Sequence, residues 1–243
     1  MKAERQDEFG RAYKGSKLQI QIYVNRRTDE LSCAILAALA PKVPTGFTID
    51  WKSPLEGEKF VEYCDADFLR ALGLARLSAQ LMEFWPSGGP VWDALATVSE
   101  GSEPVGYILV EAKSYLDEMK TDCKATSEAS LSKINKSLTN TKRWLGVNEN
   151  IEWKKGLYQS ANRLAHLYFL SEVAGLQTWM VNLCFVGDPH HLTSVSEWRD
   201  GLDSSKRRLG ISVPVPGAPD VLLPARNRDE ILAPNRRASN SKL

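Results

Sequence analysis

An α/β fold, a mixed β-sheet flanked by helices on both faces, follows from three features of the 243-residue chain. Residues 91–98 (VWDALATV) and 105–115 (VGYILVEAKSY) are apolar stretches joined by the short polar segment SEGSEP, which predicts an antiparallel hairpin. Thr178–Val186 (TWMVNLCFV) is continuously apolar, as a strand covered on both faces must be. Around and between them lie segments whose apolar residues recur at helical spacing. A hairpin and a separate buried strand, with helices between, give a mixed sheet between two helical layers.

Taken in order, the elements begin with a polar leader and then Lys17–Asn25 (KLQIQIYVN), whose apolar–polar alternation predicts a half-buried strand. Asp29 is placed to cap a helix running to about Leu39, which APKVPTG ends with two prolines and a glycine. FTIDWKS reads as a short strand closed by Pro54. From Glu56 to Trp85, Phe60, Cys64, Phe68, Leu69 and Leu72 recur at helical spacing, and Gly73 splits the stretch into two helices. WPSGGP (Trp85–Pro90) is a turn, because paired glycines between prolines cannot continue a helix. After the hairpin, helices are predicted over 127–145, 155–174 and 196–209, the last two flanking the apolar strand. Three units result: residues 1–55 as a strand–helix–strand extension, 56–210 as the core, and 211–243 as an irregular, proline- and arginine-rich tail.

Composition bounds the function. Hydrophobic residues make up 43% and charged residues 25%, ordinary for a globular protein. No apolar run reaches the length of a membrane span, and the polar N-terminus has no signal-peptide core. Cys33, Cys64, Cys123 and Cys184 lie far apart with no CxxC pair, which argues for reduced thiols in a cytoplasmic protein and against a zinc ribbon. The net charge of +1 is uneven: residues 1–119 carry −5, 120–163 carry +5, 164–198 carry −3 and 199–243 carry +4. An acidic portion beside basic stretches can hold cations while its surroundings attract a polyanion, although solvated helix faces and a basic tail give the same pattern. GDPHH (Gly187–His191) reads as a turn with surface imidazoles. Neither a phosphate-cradling glycine loop followed by Lys nor a Gly-x-Ser-x-Gly elbow is present.

The chemistry concentrates at the hairpin. Glu111 and Lys113 follow the apolar run Gly106–Val110 two positions apart, so they emerge on one face of the strand. Antiparallel pairing brings the start of one strand beside the end of the next, which sets Asp93 next to both. Two converging carboxylates suit Mg²⁺ or Mn²⁺, with the Ala112 carbonyl as a further oxygen ligand. Lys113 is then placed to neutralise charge on a phosphate or orient an attacking water. Gln159, Asn162, Arg163 and His166 form a polar stripe at i, i+3, i+4 and i+7, which either lines the cleft or faces water.

An acidic residue on one hairpin strand followed by apolar strand–Glu-x-Lys on the next resembles the PD-(D/E)XK, or restriction endonuclease-like, nuclease superfamily. Asp93…Glu111–Ala112–Lys113 occupies the motif positions. The resemblance implies metal-dependent phosphodiester hydrolysis, with DNA as the substrate and with defence, restriction or repair as the setting. It also implies a supporting metal role for Glu62, read as lying on the helix before the hairpin. Gln159 resembles the glutamine that follows the catalytic strand in RecB-like branches. Two positions depart from the family pattern: Trp92 precedes Asp93 where proline is common, and Arg163 stands where a tyrosine would complete the Gln-x-x-x-Tyr pattern.

The expected function is therefore a Mg²⁺-dependent deoxyribonuclease, with Asp93, Glu111, Lys113 and Gln159 in the site. Asp93, Glu111, Ala112 and Glu62 are the expected metal ligands. No membrane partner is expected, and symmetric cleavage of a duplex would require a homodimer. The rival is a non-catalytic protein of the same fold that binds nucleic acid or protein, a reading that suits the near-neutral total charge. A small-molecule hydrolase with a metal–carboxylate site is the third.

Overall fold

The computed structural model describes residues 5–39, 46–101 and 103–233. Five strands form one sheet in the order β1 (Thr48–Ser53), β2 (Ala94–Glu100), β3 (Glu103–Lys113), β4 (Thr178–Val186) and β5 (Asp220–Pro224). The first three pair antiparallel; β4 lies parallel to β3, and β5 parallel to β4. The sheet is mixed because the hairpin needs only a tight turn, whereas β3 reaches β4 through a helical crossover. That crossover holds α5 (Glu128–Trp144) and α6 (Tyr158–Tyr168), and α6 continues as a π-helical turn over Phe169–Val173.

Strand alternation sorts the core into two layers. Ala94, Ala96 and Val98 of β2, Ile108, Val110 and Ala112 of β3, and Trp179, Val181 and Leu183 of β4 pack with α1 (Gly15–Arg26) and α2 (Thr28–Leu39). Leu95, Leu109 and Met180 point the other way, into a cluster with α3 (Asp65–Ala71), α4 (Ser78–Phe84), α5 and α6. Both faces are thus covered, which explains the unbroken apolar run of β4. The tryptophans are packing residues in the main: Trp92, Trp153 and Trp198 are among the largest fully buried side chains. Beyond β4, α7 (Val195–Arg208) starts at a Ser194–Glu197 capping box, and its Trp198 indole donates to the Phe185 carbonyl at 3.0 Å.

Three expectations are overturned. Residues 17–25 are helical, forming most of α1, and not a strand. The alternation of Leu18, Ile20, Ile22 and Val24 reflects a helix buried on all sides, in which Gln19 and Gln21 face inward as well. Gln21 accepts from the Ala12 amide at 2.8 Å and donates to the Gly10 carbonyl at 3.0 Å. Gln19 clasps the backbone of Arg226, donating at 3.0 Å and accepting at 2.7 Å. Those bonds tether an N-terminal arm and the C-terminal segment to the helix, so both polar side chains are buried without loss.

The second correction concerns residues 211–243, expected to be irregular. Asp220–Pro224 is a strand of the main sheet, followed by the short helix α8 (Asp229–Leu232). Val221 and Leu223 are buried in the α1–α2 layer, and Tyr23 donates to the Pro224 carbonyl at 2.7 Å. Proline and arginine do not disfavour an edge strand, where one side needs no ladder partner. The helix read from Glu56 begins only at Asp65, because Lys59 and Phe60 take left-handed backbone after a single 3₁₀ turn over Glu56–Glu58. The other predicted elements stand with boundaries shifted by a few residues: α2 and β1, the break at Gly73 before α4, the hairpin, α5 to α7, and β4 over the nine residues read from the sequence. Residues 40–45, with the prolines read as ending α2, and residues 234–243 of the tail lie outside the described residues.

Candidate functional site

The site forms where the β2–β3 ladder runs out. Its last pair is Ala94 with Val110, while β3 continues to Lys113. Asp93 extends the pairing by one bond, its amide donating to the Val110 carbonyl at 3.2 Å. Its carboxylate then accepts from the unpaired Ala112 amide at 2.7 Å. A strand residue directs its N–H and C=O to the same side, so the Ala112 carbonyl opens toward Asp93 as well. Residues two apart share a face, which puts Glu111 and Lys113 with Leu109 on the α3–α6 side of the sheet.

Helix α6 supplies the other half. Thr121 accepts from the Gln159 amide at 2.8 Å and fixes the first turn of the helix. The Gln159 side chain accepts from Lys113 Nζ at 3.2 Å, and Lys113 also donates to Glu111 Oε1. One turn on, Arg163 Nε donates to Glu111 Oε2. The same guanidinium reaches the Val91 carbonyl at 2.8 Å and lies 4.8 Å from the centre of the Trp92 ring. Trp92 is therefore a platform for Arg163. The polar stripe of α6 faces the protein interior: Asn162, Arg163 and His166 are all buried.

Electrostatics separate the carboxylates. Glu111 is only 5% exposed, and burial alone would raise its pKa; Arg163 and Lys113 reverse this and hold it below the usual carboxylate range. Burial would likewise lower the Lys113 pKa, but Glu111 and Asp93 raise it and keep the ammonium charged. Among the described residues no cation is bonded to Asp93. Burial, and then the charge of Glu111, push its carboxyl up to about 7, with Glu62 adding in the same direction.

Glu62 is in the field of Asp93 and Glu111 but not on a helix, where the sequence reading puts it. It lies in the irregular segment between Glu58 and α3. There its Oε2 pairs with Lys17 at 3.2 Å, while Oε1 is buried with no hydrogen-bond partner among the described residues. Burial raises the Glu62 pKa, with Lys17 opposing. Lys17, from the first turn of α1, was not legible as a site residue because only the fold brings residue 17 to residue 62.

His166 is a core residue. Its Nδ1 bonds the Asn162 carbonyl at 2.8 Å, and the rings of Phe68, Phe84, Trp85 and Trp92 surround it. Asp65 at the start of α3, not singled out in the sequence, accepts from Gly88 and Gly89 at 3.0 and 2.9 Å and anchors the turn leading to Asp93. Tyr115 stacks on His191 with ring centres 4.1 Å apart. The four cysteines are free thiols.

Among the described residues no three His, Cys, Asp or Glu side chains are grouped as ligands of one ion, and no helix is long and apolar enough to cross a membrane. Comparison with family models, curated proteins and solved structures returns no match to this chain.

Proposed function

We propose that the protein is a metal-dependent nuclease that hydrolyses DNA phosphodiester bonds at the edge of its sheet. The observation that carries this reading is the convergence of Asp93 from the start of β2, Glu111 and Lys113 from the end of β3, and Gln159 from α6, with Gln159 bonded directly to Lys113. The donor set suits a hard divalent cation. Asp93 has an oxygen not used by the Ala112 amide, Glu62 has an oxygen with no partner among the described residues, and the Ala112 carbonyl opens beside them. Asp93 and the Ala112 carbonyl would hold Mg²⁺ or Mn²⁺, with water and substrate phosphate completing the shell. Glu111 has both oxygens on Lys113 and Arg163, and Glu62 is not grouped with them on one ion. Such an ion, when bound, acidifies water and offsets charge on phosphate. Lys113 is oriented by Gln159 and Glu111 to donate to a phosphate oxygen, and Arg163 keeps Glu111 ionised. DNA as substrate rests on the resemblance and on the basic stretches at 120–163 and 199–243, which suit contacts to a phosphate backbone.

The test is incubation of the purified protein with linear, circular and single-stranded DNA at low salt, in Mg²⁺, Mn²⁺ or EDTA. Cutting in metal alone is expected, reduced on the order of 10²-fold or more in Glu111→Gln and Lys113→Met. Glutamine avoids leaving Arg163 buried opposite an apolar side chain. Wild-type protein that cuts nothing would defeat the reading.

A second reading is a non-catalytic module of this fold. It is favoured by the saturation of Glu111, whose two oxygens are both taken by buried cations. Thermal stabilisation by Mg²⁺ that disappears in Asp93→Ala supports the nuclease. Indifference to metal in the wild type supports the module.

A further inference from the structure

Beside the candidate site lies a cleft of about 540 Å³ between the N-terminal arm, the start of α1 and the turn after β4. Lys17 lines it and also pairs with Glu62, and Tyr115 lines it two residues beyond Lys113, about 7 Å of extended chain. The cleft therefore adjoins the proposed reaction centre through Lys17 and the chain beyond Lys113.

Its lining carries several distinct recognition features. Arg5, Lys14 and Lys17 make the arm side cationic. Helix α1, twelve residues long, begins there with no side-chain cap, and Glu118, which also lines the cleft, accepts from Ser16 Oγ in its first turn at 3.2 Å, so a phosphate is left to the cations of the arm. The stack of Tyr115 on the exposed ring of His191 offers a flat aromatic surface. Asp188 is 1% exposed; its Oδ1 accepts from the His190 amide at 2.9 Å, and its Oδ2 is buried in the cleft wall with no partner among the described residues. A buried acceptor without a donor costs stability unless something supplies the hydrogen. Cations for a phosphate, a ring for a base face and an acceptor for a base N–H together describe a nucleotide of an unpaired strand.

We infer that this cleft binds a single-stranded segment of the nucleic-acid substrate, with a phosphate on the arm cations Arg5 and Lys14 and the adjoining base on the Tyr115–His191 stack. The inference rests on the nuclease reading for the word substrate. It goes beyond that reading in naming the strand state and the groups that hold it. Duplex DNA cannot offer a base face without unstacking, so the cleft selects unpaired nucleotides or frayed ends.

Fluorescence anisotropy of a short labelled single-stranded deoxyoligonucleotide, measured in EDTA, reads this binding without cutting. Lys14→Glu and Tyr115→Ala are expected to weaken binding roughly 10-fold each, and Arg76→Glu, outside the cleft, to stay within about twofold. Asp188→Asn keeps the oxygen that accepts from His190. It is expected to weaken binding roughly 3- to 10-fold while leaving the thermal midpoint unchanged or higher; a lower midpoint with unchanged binding would mark Asp188 as structural and count against the inference. Equal binding by wild type, Lys14→Glu and Tyr115→Ala overturns it, as does a wild type that prefers duplex or binds neither. Glu111→Gln separates the two proposals. Cleft-dependent binding by a protein that never cuts leaves the nucleic-acid assignment standing without the nuclease. Metal-dependent cutting with cleft-independent binding does the reverse.

Discussion

His166 shows how burial sets the behaviour of a single side chain. Enclosure by four aromatic rings from α3, α4 and the turn leading into β2 lowers its pKa to about 4, with Arg163 adding to the effect and the Asn162 carbonyl and Asp65 opposing it. The ring is neutral in the folded protein and titrates near 6.5 when unfolded. Its contribution is therefore complete above pH 6.5 and is lost as pH falls towards 4, about 3 kcal/mol over that window. His166→Phe removes the titration and keeps an aromatic ring in the cage. The variant's melting midpoint is expected to gain on the wild type progressively between pH 7 and pH 4.5. A constant offset between the two melting curves across this range would refute the assignment.

At the scale of elements, α1 is held by its polar residues as much as by its apolar ones. Gln21 is fully buried and satisfies Ala12 and Gly10 of the arm. Gly10 sits at φ +82°, and a Cβ there would meet the Lys59 carbonyl at 2.3 Å, so the arm also docks on the segment before Glu62. Gln21→Leu leaves the buried Ala12 amide without a partner, while the Gly10 carbonyl keeps only the Gln6 side chain as donor. A loss of the order of 2 kcal/mol is expected, or roughly 4–8 °C in the melting midpoint. Trypsin should then cut faster at Arg5, Arg11 and Lys14, and an unchanged digestion rate would show that the arm is held by other contacts. Because Lys14 and Lys17 line the cleft, the same variant should also weaken single-strand binding.

At the scale of the molecule, the C-terminal segment completes the sheet. β5 covers the edge of β4 from Asn182 to Val186 and brings Val221 and Leu223 into the layer beneath α1 and α2. Deleting residues 212–243 uncovers that edge and those apolar contacts together. The truncated chain is expected to aggregate or to lose its cooperative thermal transition by circular dichroism. A monomer by size-exclusion chromatography that melts like the full chain would show β5 to be dispensable.

The sequence by itself determined the hairpin, β4, the helices between them and the trio Asp93, Glu111 and Lys113. Each of these rests on short-range periodicity or on the geometry of adjacent strands, and both are written in local order. Local order could not decide the conformation of residues 17–25, because period-2 alternation also fits a helix whose polar residues are satisfied by distant backbone. Nor could it decide that residues 220–224 join the sheet, since parallel pairing with β4 depends on a partner some forty residues away. The same holds for the site. Arg163 on Glu111, Lys17 beside Glu62 and Asp188 in the cleft wall are juxtapositions of residues far apart in the chain, made only when the helices close over the sheet.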